Sequence, residues 1–485
     1  MILQACASEK SIRDTAVAIG ALEKTIQSEQ NYSLFAPAGK FNITRLPIPG
    51  RTRCPESNYS SPNLQLASEV FAHHSYALEQ YDKAVGRMRG DVLSGRLDMR
   101  TTLITCIITI CFEIMHGNYD SAASQLQSGI LLLQDWKSRQ RDASRHPQGF
   151  SSPAPHVVED FLVQVFGRME ILIMTYYDAR PSEKHLELSK EGDEIVQRMP
   201  KVFSTLEQAQ IYLELILRRL QHFIAIITLI PNNNGICFIP DGQDMAEDMP
   251  ETAKTYALHL QQGLSHTSVV NADLNKHLLT WKSAFRPLFE RSIAPAAELE
   301  ERRAALLIMC AATTTRVCAR CALFGQEIWY DIFLPEFKTI VHLAKQILNL
   351  EHQIRLSKDE GVSPKVVFAF DNMGLITPLS IVGLKCREPK LRREAVRLLT
   401  TYPRREGVWD SAVTAELIRW VMSLEEEIDP DKEIDINEMP LISEERRVRK
   451  TGVTFDLAGR VATMSCIQLE PGTGRWIRRS QEHTW

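Results

Sequence analysis

The 485-residue sequence lacks the short motifs that most directly announce chemistry. No GxxxxGK[ST] and no strand-linked GxGxxG occurs, so the glycine-rich cradle that holds nucleotide phosphates has no counterpart. Gly86 and Gly90 read instead as a helix end and a flexible turn. HExxH is absent too, which removes the arrangement that sets two histidines beside a carboxylate on one helical face. Charge of one sign is missing: 56 Lys and Arg stand against 60 Asp and Glu, a formal net charge of -4. Such a balance gives no broad positive field for a phosphate backbone or an anionic membrane.

Cysteine is sparse. The ten cysteines stand at positions 6, 54, 106, 111, 237, 310, 318, 321, 386 and 466, several of them inside apolar helical patterns. Free buried thiols in a reducing compartment account for that placement better than a disulfide framework. Long hydrophobic runs are scarce as well. The stretch Leu220 to Ile230 contains Gln221 and His222 and ends at Pro231, short of the roughly 20 residues a membrane span needs. The N-terminal MILQACASEKSIRDTAVAIG mixes charge into its apolar pattern and has no basic segment before a hydrophobic stretch, so no secretory signal is expected. The expected setting is the nucleus, with the cytoplasm as the alternative, and no membrane partner.

What the sequence does have is helical periodicity. Residues Ile12 to Ile26 and Asn63 to Met88 read as helices, separated by a loop near 28–62 that carries Pro37, Pro47, Pro49, Pro55 and Pro62. Leu103, Ile107, Ile110 and Ile114 form one stripe and Ala122, Leu126, Ile130 and Leu133 another, with Gly117-Asn118 as the break between an antiparallel pair. A second loop is expected near 138–156. Helices through Val158–Met169 and Leu213–Ile227 follow, then a third loop near 231–250. Later helices are expected at Val269–Phe285, stopped short of Pro287, and at Ala296–Phe324, Glu327–Glu351, Val366–Leu384, Leu391–Leu399 and Ala412–Leu424. In the tail, VRKTGVTFDLAG, RVATMSCIQL and GRWIRR are short β-forming pieces. The expected fold is mainly α, a large multi-helix bundle or irregular α-solenoid-like domain over 1–430. Residues 431–485 are expected to add a polar extension with a small C-terminal β hairpin.

Several residues invite a chemical reading, and for each a structural one is stronger. Cys318-x-x-Cys321 with Cys310 suggests metal or redox work, yet Cys310, Val317 and Cys321 share a helical side and nothing nearby completes four zinc ligands. His73-His74, His116 and His222 read as surface or hydrogen-bonded structural residues. Asp160, Glu170 and Asp178 have no evident water, metal or leaving group to act on. Glu425-Glu426-Glu427 reads as the solvated end of a helix rather than an acid-base pair. In LRREAVRLL, Arg392, Arg393 and Arg397 are expected outside and the leucines inside. RRVRK at Arg446–Lys450 is a candidate import signal, with a solvated charge run as the blander account. No catalytic, cofactor-binding or metal-ligating residue is assigned, and no cofactor is expected.

One ordered series of segments goes further. ILQACASEKSIRDTAVAIGAL, ALEQYDKAVGRM, FEIMHGNYDSAASQLQSGILLL, FDNMGLITPL, GLKCREPKLRREAVRLL and YPRREGVWDSAVTAELIRW span most of the chain. Together they resemble the fungal-specific transcription factor domain found downstream of Zn(II)2Cys6 DNA-binding modules. The resemblance implies a helical region for regulation, effector response or protein contacts. The partners it implies are other transcriptional regulators, a second copy of the chain as a homodimer, or a small-molecule effector. The chain departs from the family at the front: Cys6 and Cys54 cannot supply the six closely organised cysteines of a zinc cluster, which leaves direct DNA binding open. Three readings follow: a regulator acting through proteins or effectors, a truncated zinc-cluster factor, and a non-catalytic scaffold.

Overall fold

Helix formation here follows burial more than intrinsic propensity. The computed structural model describes residues 2–35, 62–95, 98–140, 151–174, 180–229, 251–322, 326–357, 367–369, 373–426, 441–456, 461–470 and 472–484. Its first part holds α1 (Ile2–Ser8), α2 (Lys10–Phe35), α3 (Pro62–Leu93), α4 (Met99–His116), α5 (Tyr119–Arg139) and α6 (Asp160–Met174). The isoleucine-rich α4 is a poor helix former on β-branching alone, but Leu103, Ile104, Ile107, Ile108, Ile110 and Ile114 are all buried. Burying each such side chain is worth about 1.5–3 kcal/mol, far more than the few tenths lost to propensity. Asp98 caps its first turn by accepting from the Thr101 amide at 2.7 Å. Gly117 closes it at φ 90, a left-handed conformation that favours glycine, and Asn118 starts α5 as the spacing anticipates.

A second group contains α7 (Ser182–Leu188), α8 (Asp193–Gln197), α9 (Leu206–Leu229), α10 (Glu251–Ser292) and α11 (Leu299–Cys321). Trp281 of α10 is fully buried and donates its indole N–H to the Ala209 carbonyl of α9 at 2.8 Å, locking the two helices together. α10 does not stop before Pro287 but runs through it. Pro287 and Ser283, whose carbonyl loses its helical donor at the proline, both lie on the exposed face, where that carbonyl is open to solvent. Burial of Phe285 and Leu288 on the opposite face holds the last turns in place.

The third group is α12 (Leu334–Ser357), β1 (Val367–Ala369), α13 (Ile376–Lys385), α14 (Pro389–Thr401), β2 (Arg404–Glu406), β3 (Trp409–Asp410) and α15 (Ser411–Glu426). Leu306, Val317, Phe337, Ile340, Ile347, Leu379, Leu399 and Ile418 fill its core, and Trp409 packs against both this core and the one formed by α4, α5 and α6. Residues 327–333 form a 3-10 turn ahead of α12. The single helix expected over Val366–Leu384 is instead a strand followed by a shorter helix. β1 pairs parallel with β2, and β2 pairs antiparallel with β3. The reason lies in Glu406, a buried carboxylate that accepts from the Leu375 and Ile376 amides at 2.8 and 2.7 Å and so caps α13. Gly374 makes room for it, because a Cβ there would overlap that carboxylate.

The tail forms β4 (Arg449–Asp456), β5 (Val461–Leu469) and β6 (Trp476–Thr484), an antiparallel sheet in the order β4-β5-β6. The fold is thus mainly α with a small C-terminal sheet, as expected, and the three β-forming pieces of the tail pair as its three strands. Its alternate residues Ala462, Met464, Cys466 and Gln468 turn inward, with Met464 and Cys466 packing on Leu417, Trp420 and Val421 of α15. The expected loop boundaries also move: α2 persists to Phe35 and α5 to Arg139, while 36–61, 141–150 and 231–250 lie outside the described residues.

The expected solvated acid run is overturned. Glu425 is fully buried: its Oε1 accepts from Arg387 at 2.7 Å and from the Val448 amide at 2.8 Å, and its Oε2 is ion-paired with Arg392 at 2.8 Å. Glu426 pairs with Arg393 at 2.6 Å, and Glu427 lies outside the described residues. Arg392 is correspondingly fully buried rather than outside on α14; its Nε donates to the Gly383 carbonyl at 3.0 Å. Glu327 extends the network to Lys385 at 2.6 Å and Arg387 at 3.1 Å. A charge taken from water is tolerated only when it is paired, and this geometry supplies the pairing. The same logic removes RRVRK as an exposed run: Arg447 is buried, with bonds to Asp331 and to the Ile442 and Glu327 carbonyls. Replacing Glu425 by Ala takes from the buried Arg387 and Arg392 the carboxylate they share, leaving each only its longer ion pair, with Glu327 or Glu426, and urea unfolding should show a loss of about 3 kcal/mol. A loss below about 1 kcal/mol, typical of an exposed pair, would contradict this placement.

Candidate functional site

α9 carries one of the clearest apolar stripes of the chain, yet Arg218, Arg219 and His222 sit inside it and are all buried. They form one side of a polar layer against α6. Arg218 donates to Glu170 at 2.6 Å and to Glu191 at 2.5 Å, and Arg180 also reaches Glu170. Arg219 binds the Ser189 carbonyl at 2.9 Å and Asp193 at 2.7 Å, tying α9 to the turns around α7 and α8. Arg168 and Gln210 hold the fully buried Glu214 at 2.8 and 2.7 Å. Burial opposes ionisation of Glu170, but Arg218 and Arg180 outweigh it and hold its carboxyl down at about 2.

Beside this layer two histidine rings meet in the interior. The Nδ1 atoms of His185 and His222 lie 3.0 Å apart, so one must donate and the other accept. With His185 as donor, the Nε2–H of His222 faces Glu170 at 3.8 Å. Burial is the largest influence on His222 and lowers its pKa to about 3, so the ring is neutral at neutral pH. A second histidine contact joins α3 to α4, where His74 and His116 stack with ring centroids 5.6 Å apart. Burial, helped by His116, brings His74 down to about 4. Next to them Tyr81 donates to Glu113 at 2.6 Å and stacks on Phe112.

The cysteines of α11 separate. Cys310, Val317 and Cys321 lie together in the α11–α15 core, whereas Cys318 turns toward α9 and α13. Burial pushes the Cys310 thiol up to about 12 and the Cys318 thiol up to about 11, which keeps both in the unreactive thiol form at neutral pH. Among the described residues, no group of three or more His, Cys, Asp or Glu is placed to hold a metal ion. Asp160 accepts from the Ser152 amide at 2.6 Å at the start of α6. Asp178 and Cys54 lie outside the described residues. By length and composition α4 and α11 could cross a membrane, yet 61% of the apolar window in each is buried within the protein.

Among the described residues, three openings between the helices stand out. One of about 60 Å³ reaches the Glu170–Arg218 layer past Gln134 and Lys137 of α5. Another of about 60 Å³ lies among α6, α9, α11 and α13, beside Cys318 and Trp409. The third, about 200 Å³, is a groove between α10, α11 and the start of α12. Its floor is Leu278, Trp281 and Met309, and its polar edge carries Lys282, Arg316 and Glu336. Arg316 is ion-paired with Glu336 at 3.5 Å, and Lys282 adds a second cation to the lining. An apolar floor with a few convergent charges is the common form of a small-ligand site, although typical ligand pockets are larger, about 300–1,000 Å³. The groove therefore suits a small ligand with an apolar body and one acidic group.

Sequence reasoning placed none of these sites. The stripe of α9 held a usable signal, since LRRLQHF sets two arginines and a histidine into a buried face, and buried charge demands partners. The groove had none, because its walls come from three helices whose relative placement no local pattern encodes. No family model, curated protein or solved structure matches this chain.

The buried histidines fix a pH response. His222 has a folded-state pKa below its ordinary 6.5, so the stability it permits is intact above 6.5 and declines as pH falls from there toward about 3. Glu170 adds its own loss only between about 4.5 and 2. Between pH 6.5 and 4.5, unfolding free energy should therefore fall with acidification by up to about 1.4 kcal/mol per pH unit for His222. His74, brought down to about 4 mainly by burial, adds a second loss over the same range, so His222→Gln should lessen the slope without abolishing it; an unchanged slope in the variant would refute the assignment.

Proposed function

We propose that this chain is a transcriptional regulatory protein of the fungal-specific transcription factor type. Its helical body works by binding another protein or a small effector and performs no chemical step of its own. The proposed setting is the nucleus. The reading is supported by the ordered resemblance of six segments, whose described residues fall on the helical body or its junctions. It is also supported by the use made of buried acids. Glu170, Glu214, Glu327, Glu406 and Glu425 each face an arginine, a lysine or backbone amides. Burial works against the charge of Glu170 and Glu327, but their cationic neighbours outweigh it and hold both carboxyls down, the opposite of the upward tuning a general acid needs.

The observation that carries the effector part is the groove between α10, α11 and α12, whose apolar floor and cationic edge fit an amphipathic acid. A ligand there would touch three helices at once and shift whichever arrangement of them binds it better. Two measurements test the proposal. Tethered to an unrelated DNA-binding domain, the chain should change reporter output several-fold, and no change would count against the regulatory role. Octanoate, as a probe of the groove, should bind the wild-type protein saturably in calorimetry, and Thr313→Trp, which fills the groove, should abolish the heat while leaving the melting profile intact. Equal binding by both proteins would place the ligand elsewhere.

A further inference from the structure

The C-terminal sheet has two edges of different character. β4 is blunted: its pairing with β5 shifts register between Arg449 and Gly452, and Lys450 adopts φ 48, a conformation rare for a side-chain-bearing residue. Bulges of this kind twist an edge away from further pairing. β6 has no such interruption. It matches β5 residue for residue from Val461↔Thr484 to Leu469↔Trp476, nine pairs in unbroken register. In the order β4-β5-β6 it is an outer strand, and Arg478, Ser480, Gln481 and Glu482 are exposed. Because the even-numbered residues of β5 turn inward, their partners Ile477, Arg479, Gln481 and His483 lie on the inner face of β6, and Arg478, Ser480 and Glu482 on the outer face.

Charged residues on an edge usually deter pairing, but here their spacing is self-complementary. When two copies of WIRRSQEHT run antiparallel about a two-fold axis at Ser480, Arg478 of one copy stands opposite Glu482 of the other, and symmetry repeats the pair. Ile477 then faces His483, and Arg479 faces Gln481, so no like charges meet. A register centred on Arg479 would set that arginine against its own copy. One centred on Gln481 leaves neither Arg478 nor Glu482 beside its opposite charge. We infer that β6 is a homodimerisation edge, joining two copies of this chain into a continuous six-stranded antiparallel sheet with its two-fold axis at Ser480. The edge supplies backbone hydrogen bonds, and the two Arg478–Glu482 pairs select the register. This interface stands on the sheet alone and is independent of the regulatory role proposed above.

Sedimentation velocity on the full chain over a range of concentrations tests the inference. The wild-type protein should form a reversible dimer that weakens with added salt. Arg478→Glu and Glu482→Arg each place like charges opposite one another twice, and each should raise the dissociation constant by roughly tenfold or more. The double variant R478E/E482R restores opposite charges in reversed sense and should restore the dimer. A wild-type monomer at every concentration, single variants that dimerise as the wild type does, or a double variant that remains monomeric would each overturn the inference.

Discussion

Glu425 sits where water cannot reach it, and much of the C-terminal half is arranged around that fact. Its carboxylate meets Arg387 from the junction between α13 and α14, Arg392 from α14 and the backbone amide of Val448 just ahead of β4. One side chain thereby joins α15 to α14, to the turn between α13 and α14 and to the entry to the sheet. Such a group is costly to strand and gains little over a well-packed hydrophobic side chain. Its effect is therefore on specificity of arrangement: any slip of α14 against α15 leaves an arginine or a glutamate unpaired. Glu327 extends the constraint to the 3-10 turn before α12. Arg447 holds the same turn through Asp331 and the Glu327 carbonyl.

The polar layer between α6 and α9 applies the same rule in the other half. Arg218 and Arg219 bridge α9 to Glu170, Glu191, Asp193 and the Ser189 carbonyl, so α7, α8 and the turns around them are held by charge as much as by packing. Between these two polar anchors the helices are joined mainly by apolar contact, with Trp409 reaching two of the cores. The groove at α10–α12 lies in this less constrained region.

The legibility of the sequence divides along the same line. Positions of helices were readable because burial imposes a 3.6-residue period: the stripes of α4 and α5, the Gly117-Asn118 break and Pro389 at the first turn of α14 all stand as the pattern indicates. What was hidden depends on contacts between distant segments. Glu425 looked like part of a solvated acidic end because its arginines are 33 to 38 residues earlier, and Arg392 looked exposed because Glu425 was not in view. β1 looked helical because its strand partner β2 lies beyond two intervening helices. Pro287 looked like a terminator because the pattern does not show that its face is the solvated one. The His185–His222 contact, 37 residues apart in sequence, had no local signal at all.

Hydrogen exchange followed by mass spectrometry offers the most direct test of the claim that buried ion pairs bind the sheet to the helical body. Peptides covering 441–456 and those covering α15 should be protected together and, as urea is raised, should open at the same concentration, because Glu425 links them. Exchange of 441–456 at low urea, while α15 stays protected, would show the sheet to be an independent unit and the account of Glu425 to be wrong.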